Sequence, residues 1–122
     1  MTESRTITHD RLQGDCFQWF HNSYPDLRKL LWMNFNNPKN KIQGAHLKAI
    51  GLVKGVHDLL FYYQGKLVGF EIKVDRDKLS DDQRKFGAQI ESQGGQWYEI
   101  RSLEQFQQIV MDLLNSSKLS AR

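Results

Sequence analysis

The chain predicts a mixed α/β domain: a central sheet that contains one antiparallel hairpin and is flanked by helices. Three observations carry this. Stretches with helical apolar spacing alternate with short apolar runs, in the order helix, strand, hairpin, helix, strand, helix. Two of the strand-like runs are separated only by Gln64-Gly65-Lys66, which marks a tight antiparallel connection. Finally, 122 residues with no repeat, low-complexity run or Pro/Gly/Ser linker make one domain, residues 1–122, with room for one core and one site.

Leu12, Cys16, Trp19 and Phe20 recur at helical spacing and predict a first helix over residues 10–23, ended by Pro25. The apolar run 29–35 predicts the first strand. Residues 36–44 read as a polar, basic loop, and 45–53 as a short helix or turn closed by Gly51 and Gly55. Residues 56–63 and 67–74 are the hairpin strands. Ser80 then stands as an N-cap with Asp81, Asp82 and Gln83 in the first turn, where acids suit the positive end of the helix dipole. Phe86 and Ile90 form part of this helix's inward stripe, and Gly94-Gly95 stop it after about Ser92. Residues 96–100 predict a strand. Ser102 caps a last helix that turns Leu103, Phe106, Ile109, Val110 and Leu113 inward, and residues 116–122 are expected to fray. Trp32 and Trp97 lie in predicted strands, so core packing is the expectation for both, ahead of stacking on unpaired bases.

Net charge is only +3, from 17 basic and 14 acidic side chains, but its distribution is uneven. Between residues 27 and 57 there is no acid, while Arg28, Lys29, Lys39, Lys41, Lys48 and Lys54 are basic, with His46 and His57 beside them. Such a segment attracts phosphates; it is equally read as a solvated face whose counter-charges lie elsewhere in the fold. The single Cys16 excludes an intrachain disulfide. With no signal-peptide core and no run of membrane-spanning length, the expectation is a soluble protein of a reducing, intracellular compartment, without membrane partners.

The hairpin carries three charges, Asp58, Glu71 and Lys73, where a strand pair is ordinarily apolar. Strand alternation puts Glu71 and Lys73 on one face and Phe70, Ile72 and Val74 on the other. A two-residue Gly65-Lys66 turn would set Asp58 opposite Lys73 and bring all three charges to one face. A three-residue turn would send Asp58 to the other face unless a bulge corrected it. Two carboxylates and an ammonium on one sheet face suit a hard divalent cation and phosphoryl chemistry, with Asp58 and Glu71 as ligands and Lys73 stabilising charge. Alone, E-x-K is also what a solvent-facing cross-strand ion pair looks like.

Taken together, G-V-H-D (55–58), G-F-E-I-K (69–73), K-L-S-D-D-Q (78–83) and the Gly pair after them resemble the VRR-NUC (virus-type replication-repair nuclease) domains of the PD-(D/E)XK nuclease superfamily. That signature runs G-x-P-D, E-x-K, L-S-x-x-Q and a downstream Gly. The resemblance spans most of the chain and implies a restriction-endonuclease-like αβββαβ core and a Mg²⁺- or Mn²⁺-dependent nuclease. It further implies a homodimer acting on branched, Holliday-junction-like DNA, in the cytoplasm of a bacterial or phage-infected cell. On it, Asp58 and Glu71 are metal ligands, joined by the backbone carbonyl of Ile72. Lys73 is the catalytic lysine, and Gln83 bonds to the lysine, a water or the phosphate. Asn37, Lys39, Lys41, His46, Lys48, Lys54 and His57 form the DNA-contacting set. Two departures stand out. His57 replaces the usual Pro, and His9, with Asp10 adjacent, stands where the first helix often carries a glutamate. The alternative implied function is a nuclease-fold module that binds nucleic acid or dimerises without cutting; the third is an α/β interaction domain whose hairpin charges are surface pairs.

Overall fold

The computed structural model describes residues 7–35 and 39–120, the last four of these by their backbone. Helix α1, His9–Ser23, starts where the Thr8 side chain accepts from Arg11 N at 3.1 Å. Pro25 then opens a 3₁₀ segment, Pro25–Leu30, so the first strand shrinks to β1, Leu31–Met33, rather than the whole apolar run. Helix α2, Lys41–Ala49, begins inside the expected loop because Asn40 caps it, accepting from Gln43 N at 2.8 Å. The hairpin is β2, Leu59–Tyr63, and β3, Lys66–Ile72. Helix α3, Asp81–Ser92, is capped by Ser80 as expected, and β4 is Gln96–Ile100. Helix α4, Leu103–Ser120, runs past the expected fraying point.

The sheet order is β1-β2-β3-β4, antiparallel up to β3 and parallel between β3 and β4, the mixed sheet that the order of elements predicts. Leu59, Phe61, Val68, Phe70, Ile72 and Ile100 bury one face against Leu12, Cys16 and Phe20 of α1 and Phe106, Val110 and Leu114 of α4. Ring contacts lock the layers together: Phe20–Phe61 centroids lie 5.3 Å apart and Phe70–Phe106 4.8 Å. Cys16 lies in this core with its thiol pushed up to about 12 by burial, with Asp15 and Glu104 adding to the shift, so it is no nucleophile at neutral pH.

Helix α3 packs on the opposite face, over β3 and β4, where Gly87 lets the Trp97 ring approach so closely that a Cβ there would lie 2.5 Å from it. Trp97 thus packs as expected, though half-buried under α3 rather than in the main core. Trp32 does not: it is 40% exposed, because β1 is an edge strand and the packing of helices on the sheet leaves that ring open. Among the described residues no helix is long and apolar enough to cross a membrane.

Candidate active site

Whether Asp58 meets Glu71 depends on the parity of the hairpin. Tyr63 pairs with Lys66 and Leu59 with Phe70, leaving Gln64 and Gly65 as a two-residue turn with φ of 51° and 80°. Positive φ at both positions matches the twist of the flanking strands and suits glycine at the second. The turn sits one residue earlier than Gly65-Lys66. That slides each pairing by two positions and leaves the faces unchanged. One step beyond the ladder, Asp58 therefore stands opposite Glu71, where the other register would have set Lys73.

The contacts at this strand end bear the register out. The Asp58 amide donates to Glu71 Oε1 at 3.3 Å, its carbonyl accepts from Asn34 N at 2.9 Å, and its Oδ2 accepts from Ile72 N at 2.9 Å. Lys73 Nζ lies 3.3 Å from Glu71 Oε2, with the two side chains only 12% and 2% exposed. Burial, and after it the charge of Asp58, push the Glu71 carboxyl up to about 7 against the pull of Lys73. Two carboxylates thus share a site with one ammonium, and the buried one bears the cost.

A second basic group meets the pair from α1. His9 Nε2 donates to Asp58 Oδ2 at 2.9 Å, and its Nδ1 lies 3.6 Å from Asp10. Burial draws the imidazole pKa down, but Asp58, Asp10 and Glu71 together outweigh it and hold it above its ordinary value. Asp10, whose side chain is fully exposed, pairs with His9 and makes no contact with Asp58 or Glu71. Sequence reasoning left open which residue of this helix meets the site. The distance in sequence, 49 residues, hides the contact from any local pattern.

The donor set fits a hard divalent ion. Asp58 and Glu71 already repel one another, and the Ile72 N–H points at Asp58, so the carbonyl of the same extended residue lies along that strand edge. A Mg²⁺-type shell takes one or two carboxylates and completes itself with water and substrate phosphate. Among the described residues no group of three or more His, Cys, Asp or Glu side chains is disposed to hold a metal, so such an ion would draw on no more than this pair and the carbonyl here.

Other expected residues fare differently. Gln83 completes a capping box: its Oε1 accepts from Ser80 N at 2.9 Å, and no hydrogen bond links its side chain to Asp58, Glu71 or Lys73. His57 is corrected outright. It is 0% exposed and cannot reach a DNA phosphate. Its ring lies 4.8 Å from Phe86 and 5.2 Å from Trp97, Nε2 donates to the Gln83 carbonyl at 3.0 Å, and Nδ1 abuts Gly69, where any Cβ would collide with it. Burial lowers its pKa, so the imidazole, standing where the resembled signature has Pro, is a neutral packing residue beneath α3. Lys39, Lys41, His46 and Lys48 are exposed. Lys54 is exposed too, but meets Asp82 of α3 at 3.4 Å, one of the counter-charges the solvated-face reading requires. Asn37 lies outside the described residues.

Arg101 went unnoticed in the sequence. It bonds Glu99 at 2.5 Å and the carbonyls of Asp75, at 3.0 Å, and Asp77, at 2.5 Å, fastening the loop that follows Lys73. No spacing signal announces contacts 24 and 26 residues apart.

The sequence matches no family model and no curated protein. The structure, however, is similar to the solved structure of a VRR_NUC domain protein, with a TM-score of 0.73 and 15% identity over 89% of each chain. At that identity the likeness establishes the fold.

Proposed function

We propose that this chain, which has the fold of a VRR_NUC domain, is a metal-dependent DNA endonuclease selective for branched or otherwise non-duplex DNA. The observation that supports this most is the buried, like-charged pair Asp58–Glu71, gathered by the hairpin register with Lys73 on one of its oxygens. A structural ion pair needs one carboxylate for one lysine. Burial, and after it the second carboxylate, raise the Glu71 pKa and lower stability, an arrangement that clusters at functional sites.

Mg²⁺ or Mn²⁺ would be held by Asp58, Glu71 and the Ile72 carbonyl, and would supply positive charge to a phosphodiester and its attacking water. The chain's own groups do the rest. The Ile72 and Asp58 amides fix the two carboxylates, and His9 holds Asp58 from α1. The Lys73 ammonium orients the water or bonds the phosphate oxygen on which charge accumulates. The exposed Lys39, Lys41 and Lys48, with His46, draw in the DNA backbone through its phosphates. Two symmetric cuts at a junction call for a second copy of the chain, hence a homodimer.

A second reading, a nuclease-fold module that binds without cutting, draws on one observation: the Gln83 amide oxygen is spent on a helix cap. Both readings meet one experiment, in which labelled four-way junction, flap, single-stranded and linear duplex DNA are incubated with Mg²⁺, Mn²⁺ or EDTA. The expected outcome is cutting of at least one branched substrate, abolished by EDTA and by Lys73→Ala, with DNA binding retained in that variant. Cutting that survives Lys73→Ala would place the chemistry elsewhere; binding without cutting under either metal would favour the second reading.

A further inference from the structure

The sheet face that bears Asp58 and Glu71 is covered unevenly. Helix α3 lies over β3 and β4, where Trp97 is pressed against Gly87. Toward the other edge, the same face presents Trp32 and Tyr62, 40% and 48% exposed. The registers run Trp32, Leu60, Gly69 and Trp97 in one row across all four strands, and Glu71 with Glu99 belongs to the next row on that face. Trp32 therefore stands one row from the acidic pair and two strands across. At about 4.8 Å per strand and 3.3 Å per residue, its Cα lies roughly 12 Å from that of Glu71. Duplex DNA rises about 3.4 Å per nucleotide on each strand, so this is a reach of about three or four nucleotides.

Charge says what fits there. No acid occurs between residues 27 and 57, and among the described residues Lys39, Lys41, His46 and Lys48 are exposed and enter no ion pair. An open indole face within an acid-free, polyanion-attracting stretch of the chain, on the face of a phosphate-directed site, matches a nucleobase joined to its phosphodiester. Bases inside a duplex are stacked on one another, so only an unpaired base offers its face. We infer that Trp32 is a stacking platform for an unpaired base of the strand engaged at Asp58 and Glu71, and so sets the preference for branched over continuous DNA. Met33 and Phe35 are exposed as well, but strand alternation turns Met33 to the other face. This inference rests on the nuclease reading.

The test is binding in EDTA, which separates recognition from catalysis. Anisotropy titrations would compare a labelled single strand, a flap and a duplex for the wild type, Trp32→Ala, Trp32→Leu and Trp32→Phe. Ala and Leu are expected to weaken single-strand and flap binding by roughly five- to one-hundredfold and duplex binding by less than about twofold, while Phe retains most of the preference. Leu keeps apolar area without a ring, so it separates stacking from burial, and Phe shows that the edge strand still folds. Equal losses on all three DNAs, a Leu variant as discriminating as the wild type, or no loss at all would overturn the inference. So would a change in oligomeric mass with discrimination intact, which would assign the ring to a protein interface. Wild-type protein that binds no DNA would remove the nuclease reading too, whereas wild type that binds and cuts beside an unaffected Trp32→Ala would remove this inference alone.

Discussion

The open end of the hairpin and the segment from β1 through α2 both carry charge, and they handle it in opposite ways. At the hairpin, Glu71 is 2% exposed and each charged group is held by a backbone amide or a neighbour within 3.3 Å. Along β1 and α2 the lysines are solvated, and apolar side chains such as Ile42, 85% exposed, face water. Buried like charges lower stability but place atoms precisely enough for chemistry. Solvated charges cost little and act only through their field. Under the proposed nuclease function, the contrast assigns catalysis to the first region and capture to the second.

The sharpest way to break that division is to change the two ends of one ion pair. Lys73→Ala is expected to slow cutting by about a hundredfold or more, and to lower metal-free stability by about 3 kcal/mol because Glu71 is left buried beside Asp58. Glu71→Gln should abolish cutting as well, yet raise metal-free stability by about 1 kcal/mol near pH 8 by removing the repulsion. Urea melts in EDTA together with junction-cutting rates check both. If the two substitutions destabilise equally, the pair is an ordinary structural ion pair and the division fails.

The same region predicts a pH dependence of stability. Folded Glu71 keeps a proton that the unfolded chain releases from its ordinary 4.5 upward, so metal-free stability should fall between there and about 7, by about 3 kcal/mol at most. His9 acts in the same direction. Its folded pKa is raised, so its contribution is full below the ordinary 6.5 and is lost as pH climbs through the folded value. Melting temperatures in EDTA should therefore be higher at pH 5 than at pH 8, and Mg²⁺ or Mn²⁺ should recover part of the loss at pH 8. A flat profile that no metal changes would contradict the frustrated pair.

How far these regions were legible in the sequence depends on how local their causes are. Ser80 capping α3 and the strand Gln96–Ile100 rest on neighbours in sequence and read directly. Neither the hairpin's parity nor its offset was settled by the sequence: two- and three-residue turns both fit, Gln64 adopts φ 51° with no residue-type signal, and Gly65 serves a turn at either position. The start of α2 was signalled by Asn40 and Gln43, a cap-and-N3 pair hidden in a run that looks like basic loop. His57 was misread because its burial is made by Gly69, Phe86 and Trp97, all distant in sequence, while its neighbour Lys54 suggests a surface. Trp32 was misplaced for the converse reason, since whether a strand face is covered is settled by how the helices pack on the sheet.

The capture region answers to salt. Lys41→Ala and Lys48→Ala should each weaken binding about equally for junction, flap and duplex, and each lower the slope of log affinity against log salt by about 1. Lys54→Ala should change that slope less, because Asp82 already holds its ammonium at 3.4 Å. Titrations at several salt concentrations check this. A Lys41 or Lys48 variant that loses affinity for one DNA form alone would move recognition into the solvated region and blur the contrast.

The smallest effect concerns Gln83, on the first turn of the helix that covers Trp97. Its Oε1 accepts from Ser80 N while its backbone N–H donates to Ser80 Oγ at 3.1 Å, so the residue closes both halves of a capping box. If that is its whole contribution, Gln83→Ala should lower stability by about 1 kcal/mol with cutting per folded molecule nearly unchanged. Gln83→Glu should restore the loss, since glutamate serves equally at this position and suits the helix N-terminus. If instead the amide reaches the scissile phosphate, the same Glu substitution places a negative charge against the phosphate, and activity collapses while stability holds. Thermal melts and cutting rates on the two variants therefore assign Gln83 to the fold or to the chemistry, and the cap already formed by its oxygen argues for the fold.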